Sequence, residues 1–259
     1  MKRGDTNRIK HTIPAVNKAL ELVRLLAEEK GETTVKALAL RLRVPRTTCY
    51  RIVRSLLARD WIRALEGGRH ELSLGLLSLR APLRQAERLA ETVQPALEAL
   101  AARAQLTAKV SVRQGDYAVT VARRESPRET SVAVRLGASF HLAYGSSGAV
   151  LLGGCDEEEI RRILDRAPDE CWEYQTPAAV FERIEMCRDK GWCADIGTFR
   201  PSCHALSTPL RGPRGDTLAA MTLVGFPHEL PQGKLSAPSR MLLEAARDAE
   251  KRLRARFPQ

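Results

Sequence analysis

Residues 33–72, TTVKALALRLRVPRTTCYRIVRSLLARDWIRALEGGRHEL, constrain the fold of this chain more than any other segment. They read as two short helices separated by a tight turn and followed by a basic hairpin. Thr33 or Thr34 can cap a first helix in which Val35, Leu38 and Leu42 fall at helical spacing. Val44-Pro45-Arg46 ends it, because proline disfavours helical geometry in the residue before it. The next helix is expected from about Arg46 to Ala58, burying Ile52, Val53, Leu56 and Leu57. Its other face offers Arg46, Thr47, Thr48, Tyr50, Arg51 and Arg54, the donors and cations that DNA phosphates and base edges accept from. Trp61–Leu65 and His70–Leu72 form a hairpin around Glu66-Gly67-Gly68-Arg69, where the glycines allow the positive dihedral angles of a tight turn. Arg63 and Arg69 then sit on a wing. One helix for a major groove with a wing beside it is a DNA-reading arrangement, and the wing also covers the core behind it. A preceding helix, Ala15–Glu28, is expected to bury Val16, Leu20, Val23 and Leu26–Ala27 against these elements.

Charge follows the same division. Residues 1–70 carry 16 Lys and Arg against 7 Asp and Glu, whereas residues 71–259 carry 26 against 24. A basic module joined to a near-neutral one points to a nucleic-acid-binding domain with a separate partner domain. The 259 residues suffice for two cores. No apolar run approaches the ~20 residues of a membrane span, so no membrane partner is expected. MKRGDTNRIKHTIP has no apolar core behind its basic residues and reads as a flexible arm rather than a secretory signal. The six cysteines, at 49, 155, 171, 187, 193 and 203, show no Cys-x2-Cys pair. They read as free thiols in a reducing cytoplasm, with no metal and no cofactor expected.

Residues 73–105 read as helical, divided near Pro82, with Pro95 starting or kinking a further turn. Leu76, Leu77 and Leu79 have no evident partner in a winged domain, which suggests either dimerisation or packing on the chain's own second domain. From Thr107 the period changes. Lys109–Arg113 and Tyr117–Ala122 alternate about a Gln114-Gly115-Asp116 turn, and Ser131–Val134 reads as another strand. Helices follow after Gly145-Ser146-Ser147-Gly148, over Asp156–Arg166 and over Pro177–Lys190. Strands are expected at His204–Leu210 and Thr217–Val224, and a closing helix at Ala237–Phe257. Antiparallel strands with segregated helices indicate an α+β sensor-type domain.

Together the segments ALELVRLLAE (19–28), VPRTTCYRIVRSL (44–56), HELSLGLLSL (70–79), RLGASFHLAYGSSGAVLL (135–152), KGWCAD (190–195) and ALSTPLRG…AAMTLVGFP (205–227) resemble the IclR family of bacterial transcriptional regulators. The order and spacing of the segments carry the resemblance. It implies an α+β architecture with a flexible basic arm (1–12), a winged helix-turn-helix (13–74), a linker helix (75–95) and a GAF-like effector-binding and oligomerisation domain with an antiparallel sheet (96–259). It implies a homodimer or dimer of dimers on a palindromic operator in double-stranded DNA, modulated by a small organic acid effector. The effector positions that carry over are Gly145 and Ser146 at a helix start, Asp195 after the Gly-aromatic pair, Cys203 on the next strand and Thr222 on the last; His141 is a further candidate. Backbone N–H groups at a helix start can hold a carboxylate without a cationic side chain. The chain departs from the family pattern at Ile196-Gly197-Thr198-Phe199-Arg200-Pro201 and at Val224. A less polar wall there, with Tyr144 and Phe199 near, favours a larger or aromatic acid. Each site residue has a plainer role open to it: Cys203 and Thr222 as core residues, Asp195 as a turn cap, His141 as a satisfied core histidine. A serine- or thiol-dependent enzyme is the rival class, but Gly-Ser-Ser-Gly is not a nucleophile elbow. An RNA-directed module is disfavoured because the paired exposed aromatics of single-strand readers are missing.

Overall fold

A computed structural model describes residues 12–28 and 33–256; most of the expected basic arm, residues 1–11, lies outside the described residues. The chain divides into two compact units, Met1–Arg84 and Gln85–Gln259.

In the first unit α1 (Pro14–Glu28), β1 (Thr33–Thr34), α2 (Val35–Leu42), α3 (Arg46–Leu57), β2 (Ile62–Ala64) and β3 (Arg69–Leu72) follow in order. Thr34 caps α2, its side chain accepting from the Ala37 amide. Arg43, at φ +53°, closes α2 in the left-handed region, and Pro45 precedes the first turn of α3. A three-stranded sheet in the order β1-β3-β2 carries the wing, and Gly67 and Gly68 supply its two positive φ angles. The core is Leu22, Leu26, Leu38, Leu42, Cys49, Ile52, Val53 and Ile62. Three expectations change here. The buried stripe of α1 runs through Leu22 and Leu26, with Ala19 packed beside it, while Val16 and Leu20 are exposed. α1 is apolar over more than one face, so spacing alone did not choose which face is buried. Thr33–Thr34 also adds a third strand, paired with His70 and Arg69. After the wing, Leu74–Leu83 forms 3-10 turns rather than α-helix.

The second unit contains α4 (Arg84–Ala104), β4 (Thr107–Gln114), β5 (Tyr117–Arg124), β6 (Ser139–His141), α5 (Gly145–Leu152), α6 (Glu157–Asp165), α7 (Pro177–Lys190), β7 (Cys193–Arg200), β8 (Cys203–Arg211), β9 (Thr217–Gly225) and α8 (Ser236–Arg256). Pro95 lies within α4 without ending it. Six strands form one antiparallel sheet in the order β6-β5-β4-β9-β8-β7. Val93, Leu97 and Leu100 of α4 and Leu242, Ala246 and Leu253 of α8 share one core with Val110, Leu206, Met221 and Leu223. A second core on the other face gathers Ala118 and Ala220 with Ala149, Val150 and Leu152 of α5 and Val180 and Ile184 of α7. The sheet is therefore covered on both faces, and with the winged unit the chain is α+β.

The sheet curls. Phe140 on edge strand β6 and Phe199 on edge strand β7 have ring centroids 5.6 Å apart. Five gaps of about 4.8 Å would hold those edges about 24 Å apart in a flat sheet. The curl wraps the face that carries α5. Residues 131–134 are not a strand: the Val132 carbonyl accepts from the Thr107 hydroxyl and the Val134 carbonyl from Arg123. The edge strand comes instead after the Gly137 turn (φ +71°), at Ser139–His141 against β5.

Candidate nucleic-acid interface and small-molecule site

The amphipathic pattern of α3 leaves one face outward. Arg46, Thr47, Tyr50, Arg51 and Arg54 are exposed, and Thr48 is half-buried. Among the described residues, Arg46, Arg51 and Arg54 have no carboxylate partner, so their donors are available to phosphate or base edges. On the wing, Arg63 pairs with its cross-strand neighbour Glu71, and Arg69 Nε donates to the Glu66 carbonyl at 3.1 Å. The Arg63 pair is solvent-exposed, a kind worth about 1 kcal/mol or less, and can exchange for a phosphate.

In the second unit, α5 enters through Gly145 at φ +66° with no side-chain cap from Tyr144. A Cβ on Gly145 would stand 3.1 Å from Asp195 Oδ2, and one on Gly148 would stand 2.0 Å from the Leu142 carbonyl. These two glycines let α5 sink against β7 and against its own entry loop. Ser146 Oγ then lies 2.8 Å from Ser207 Oγ, which lies 2.8 Å from Thr222 Oγ1. The Cys193 thiol donates to the Ser146 carbonyl at 3.4 Å, and its hydrogen bond with the Cys187 thiol, together with burial, holds Cys193 well above the usual thiol range.

Asp195 accepts from the Thr198 amide (2.8 Å) and hydroxyl and from the Phe199 amide (3.3 Å). It thereby clamps the bulge in which β7 and β8 lose register between Ile196 and Arg200. Thr198 also accepts from Arg183 Nη1 at 3.1 Å, and Arg183 donates to Gln175, which in turn holds the Ala143 and Cys171 carbonyls. Burial pulls the Arg183 guanidinium down from its ordinary range, with Asp195 opposing that shift. Above this network Tyr144 meets Phe199 edge-on at 4.7 Å, and Phe199 meets Phe140. Burial and a hydrogen bond to Cys171 push the Tyr144 hydroxyl up, so it stays protonated.

Gly145, Ser146, Asp195 and Thr222 are thus brought together, with Ser207 as the link. Cys203 is half-buried at the start of β8, on the face it shares by alternation with Ala205 and Ser207. His141 is set apart. Phe140 pairs with Ala118 on the α5 face, so the next residue points to the opposite one. There His141 Nδ1 accepts from the Ala143 amide at 3.2 Å and its ring meets Tyr117 edge-on at 5.4 Å. Burial pulls the His141 pKa down, leaving a neutral ring whose Nε2 is buried without a partner.

Comparison with known proteins fits both units. Residues 15–66 match the IclR helix-turn-helix domain, and residues 83–251 match the bacterial transcriptional regulator IclR C-terminal family. The chain belongs to the IclR family. It is a DNA-binding transcriptional regulator. Among its relatives, the transcriptional repressor AllR of Escherichia coli is 20% identical over 241 residues, covering 90% of this chain and 88% of AllR. The Thermotoga maritima IclR structure shares the fold at TM-score 0.71 and 17% identity, covering 92% of this chain and 98% of that one. An IclR homologue from Microbacterium hydrocarbonoxydans, solved in complex with 4-hydroxybenzoate, shares it at TM-score 0.70 and 20% identity, over 93% and 98% of the two chains.

Three residues around this candidate site escaped the sequence reading: Lys109, Phe140 and Arg183. Lys109 lies in register with Thr222, which lies in register with Ser207, so the three form one row across the sheet opposite α5. Only 7% of Lys109 is exposed, and its Nζ stands 4.4 Å over the Phe140 ring. The signal lay in KVSVR, but only a covered sheet makes its polar positions interior.

Proposed function

We propose that this regulator binds a palindromic operator as a homodimer or dimer of dimers in the cytoplasm, and that a small organic acid held beside α5 sets its operator affinity. It acts as a switch and not as an enzyme. The observation that carries the DNA half is the exposed face of α3, where Arg46, Arg51 and Arg54 stand without carboxylate partners among the described residues. The effector half draws support from the uncapped start of α5, the Ser146–Ser207–Thr222 hydroxyl chain and the aromatic cover. The likeness to a homologue complexed with 4-hydroxybenzoate supports an aromatic acid. Effector binding shifts a two-state equilibrium only by its differential affinity for the two states. A tenfold change in operator affinity requires about 1.4 kcal/mol of coupling.

A second reading is a repressor that needs no ligand. It draws on Asp195, both of whose carboxylate oxygens are already engaged by Thr198 and Phe199. Selection of DNA from a random pool by the full-length protein, repeated across salt concentrations, tests the DNA half. Enrichment of one inverted repeat is expected; salt-sensitive binding with no enriched sequence would leave only a basic surface. Release or tightening on that operator by an added organic acid then separates the two readings.

A further inference from the structure

Lys109 is a buried ammonium that no described residue compensates. Among the described residues it makes no ion pair and no hydrogen bond; its one polar contact is the face of Phe140. Arg123, its cross-strand neighbour on β5, is occupied by Glu125 and the Val134 carbonyl. Asp195 is committed to Thr198 and Phe199. A lone buried charge is costly unless a counter-charge joins it. Beside it the polar surface is also unsatisfied. Ser111 Oγ, two residues along β4 on the same face, and Thr120 Oγ1, the cross-strand partner of Ser111, are buried without hydrogen-bond partners. Buried hydroxyls in native proteins are rarely left so, and two side by side next to an unpaired cation mark a place for a ligand's oxygens. From Lys109 the rings of Phe140, Phe199 and Tyr144 run in unbroken contact to the start of α5.

We propose that Lys109 is the residue that selects the effector, its ammonium pairing with the carboxylate of a small aromatic acid whose ring lies against Phe140 and Phe199. This rests on reading the second unit as effector-binding, and it moves the anion-holding role from backbone N–H groups alone to a side chain. Burial brings the lysine pKa down to about 8, which keeps the ammonium mostly charged at neutral pH and ready to gain from an anion.

Calorimetry on the full-length protein tests this with four probes: benzoate, 4-hydroxybenzoate, the neutral isostere benzamide, and glyoxylate. Both benzoates bind the wild type, and benzamide binds roughly 30-fold more weakly or not at all. Lys109→Met, checked for folding by circular dichroism, loses the benzoates by a similar factor and no longer distinguishes benzoate from benzamide. Equal binding of benzoate by the variant and the wild type overturns the proposal, as does equal binding of benzoate and benzamide by the wild type, which needs no variant. Binding of glyoxylate alone also overturns it while leaving the effector reading intact. Silence of all four probes on the wild type removes both.

Discussion

Replacing Lys109 by methionine should stabilise the ligand-free protein, and the gain should fade as pH rises. Methionine keeps the length and flexibility of the side chain and removes the charge. Burial alone lowers the Lys109 pKa from 10.5 to about 8. At 1.36 kcal/mol per pKa unit, that displacement is a penalty of about 3 kcal/mol on holding the ammonium in the folded state. The sign follows from proton counts. Below pH 8 the lysine is charged in both states and the penalty is present in full. Between pH 8 and 10.5 the folded protein releases the proton while the unfolded chain keeps it, so wild-type stability rises relative to the variant. Linkage puts the pH-dependent part of the difference at about 3 kcal/mol at pH 7, about 2 at pH 9 and about 1 at pH 10. Loss of the Phe140 contact offsets some of the variant's advantage at every pH where the lysine is charged.

The assay is urea unfolding of both proteins at pH 6 to 10. Trp172 and Trp192 report on the second unit once Trp61 of the wing is replaced by phenylalanine in both backgrounds. Titration of every other group is common to the two proteins and cancels in the difference. Parallel stability profiles, with a difference that does not change from pH 6 to 10, would refute the claim that Lys109 is buried as an uncompensated charge.

Three further outcomes follow from other residues. Arg51→Ala should weaken binding to the selected operator by about 1–3 kcal/mol with relaxed sequence preference if it reads a base, or uniformly on all sequences if it touches phosphate; unchanged affinity in a mobility-shift titration removes it from the interface. Gly148→Ala would drive a Cβ to 2.0 Å from the Leu142 carbonyl, so α5 must move, at a cost of about 3 kcal/mol or more; an unaltered urea midpoint for the second unit contradicts the close approach. Asp195→Ala strips the Thr198 and Phe199 amides of their acceptor and leaves Arg183 without the nearby charge that offsets its burial. The same urea assay should register about 3–5 kcal/mol, and a loss under about 1 kcal/mol would show that the clamp is dispensable.

The parts legible in the sequence are those whose cause is local. Thr34 as a cap, Pro45 as a break, the paired glycines of the wing and the exposed cations of α3 each follow from a few neighbouring residues. The short helix expected after Gly145-Ser146-Ser147-Gly148 was legible in kind but not in bounds: α5 already begins at Gly145, whose positive φ favours glycine. What was missed depends on elements distant in sequence. Ser139–His141 is three residues long, and only pairing with β5 fixes which of Phe140 and His141 faces α5; a shift of one residue exchanges them. Cys193–Arg200 puts Asp195 at an interior position and breaks register near Gly197, so its alternation is disguised.

Lys109 shows the reason most plainly. In KVSVR, alternation puts Val110 and Val112 on one face of a hairpin and Lys109 with Ser111 on the other. Val110 packs beneath α4 and α8. The other face is not solvated, because α5 and α7 cover it and the sheet curls until its two edge aromatics touch. The covering segment α5 is GSSGAVLL, apolar or small throughout and without a single charge to answer Lys109. A polar strand face placed under an uncharged helix cannot be explained by solvation, and the described residues supply no counter-ion for it. The same mismatch that hid the residue from pattern reading therefore identifies it, because an interior cation left unanswered by the described residues requires a counter-charge from outside them.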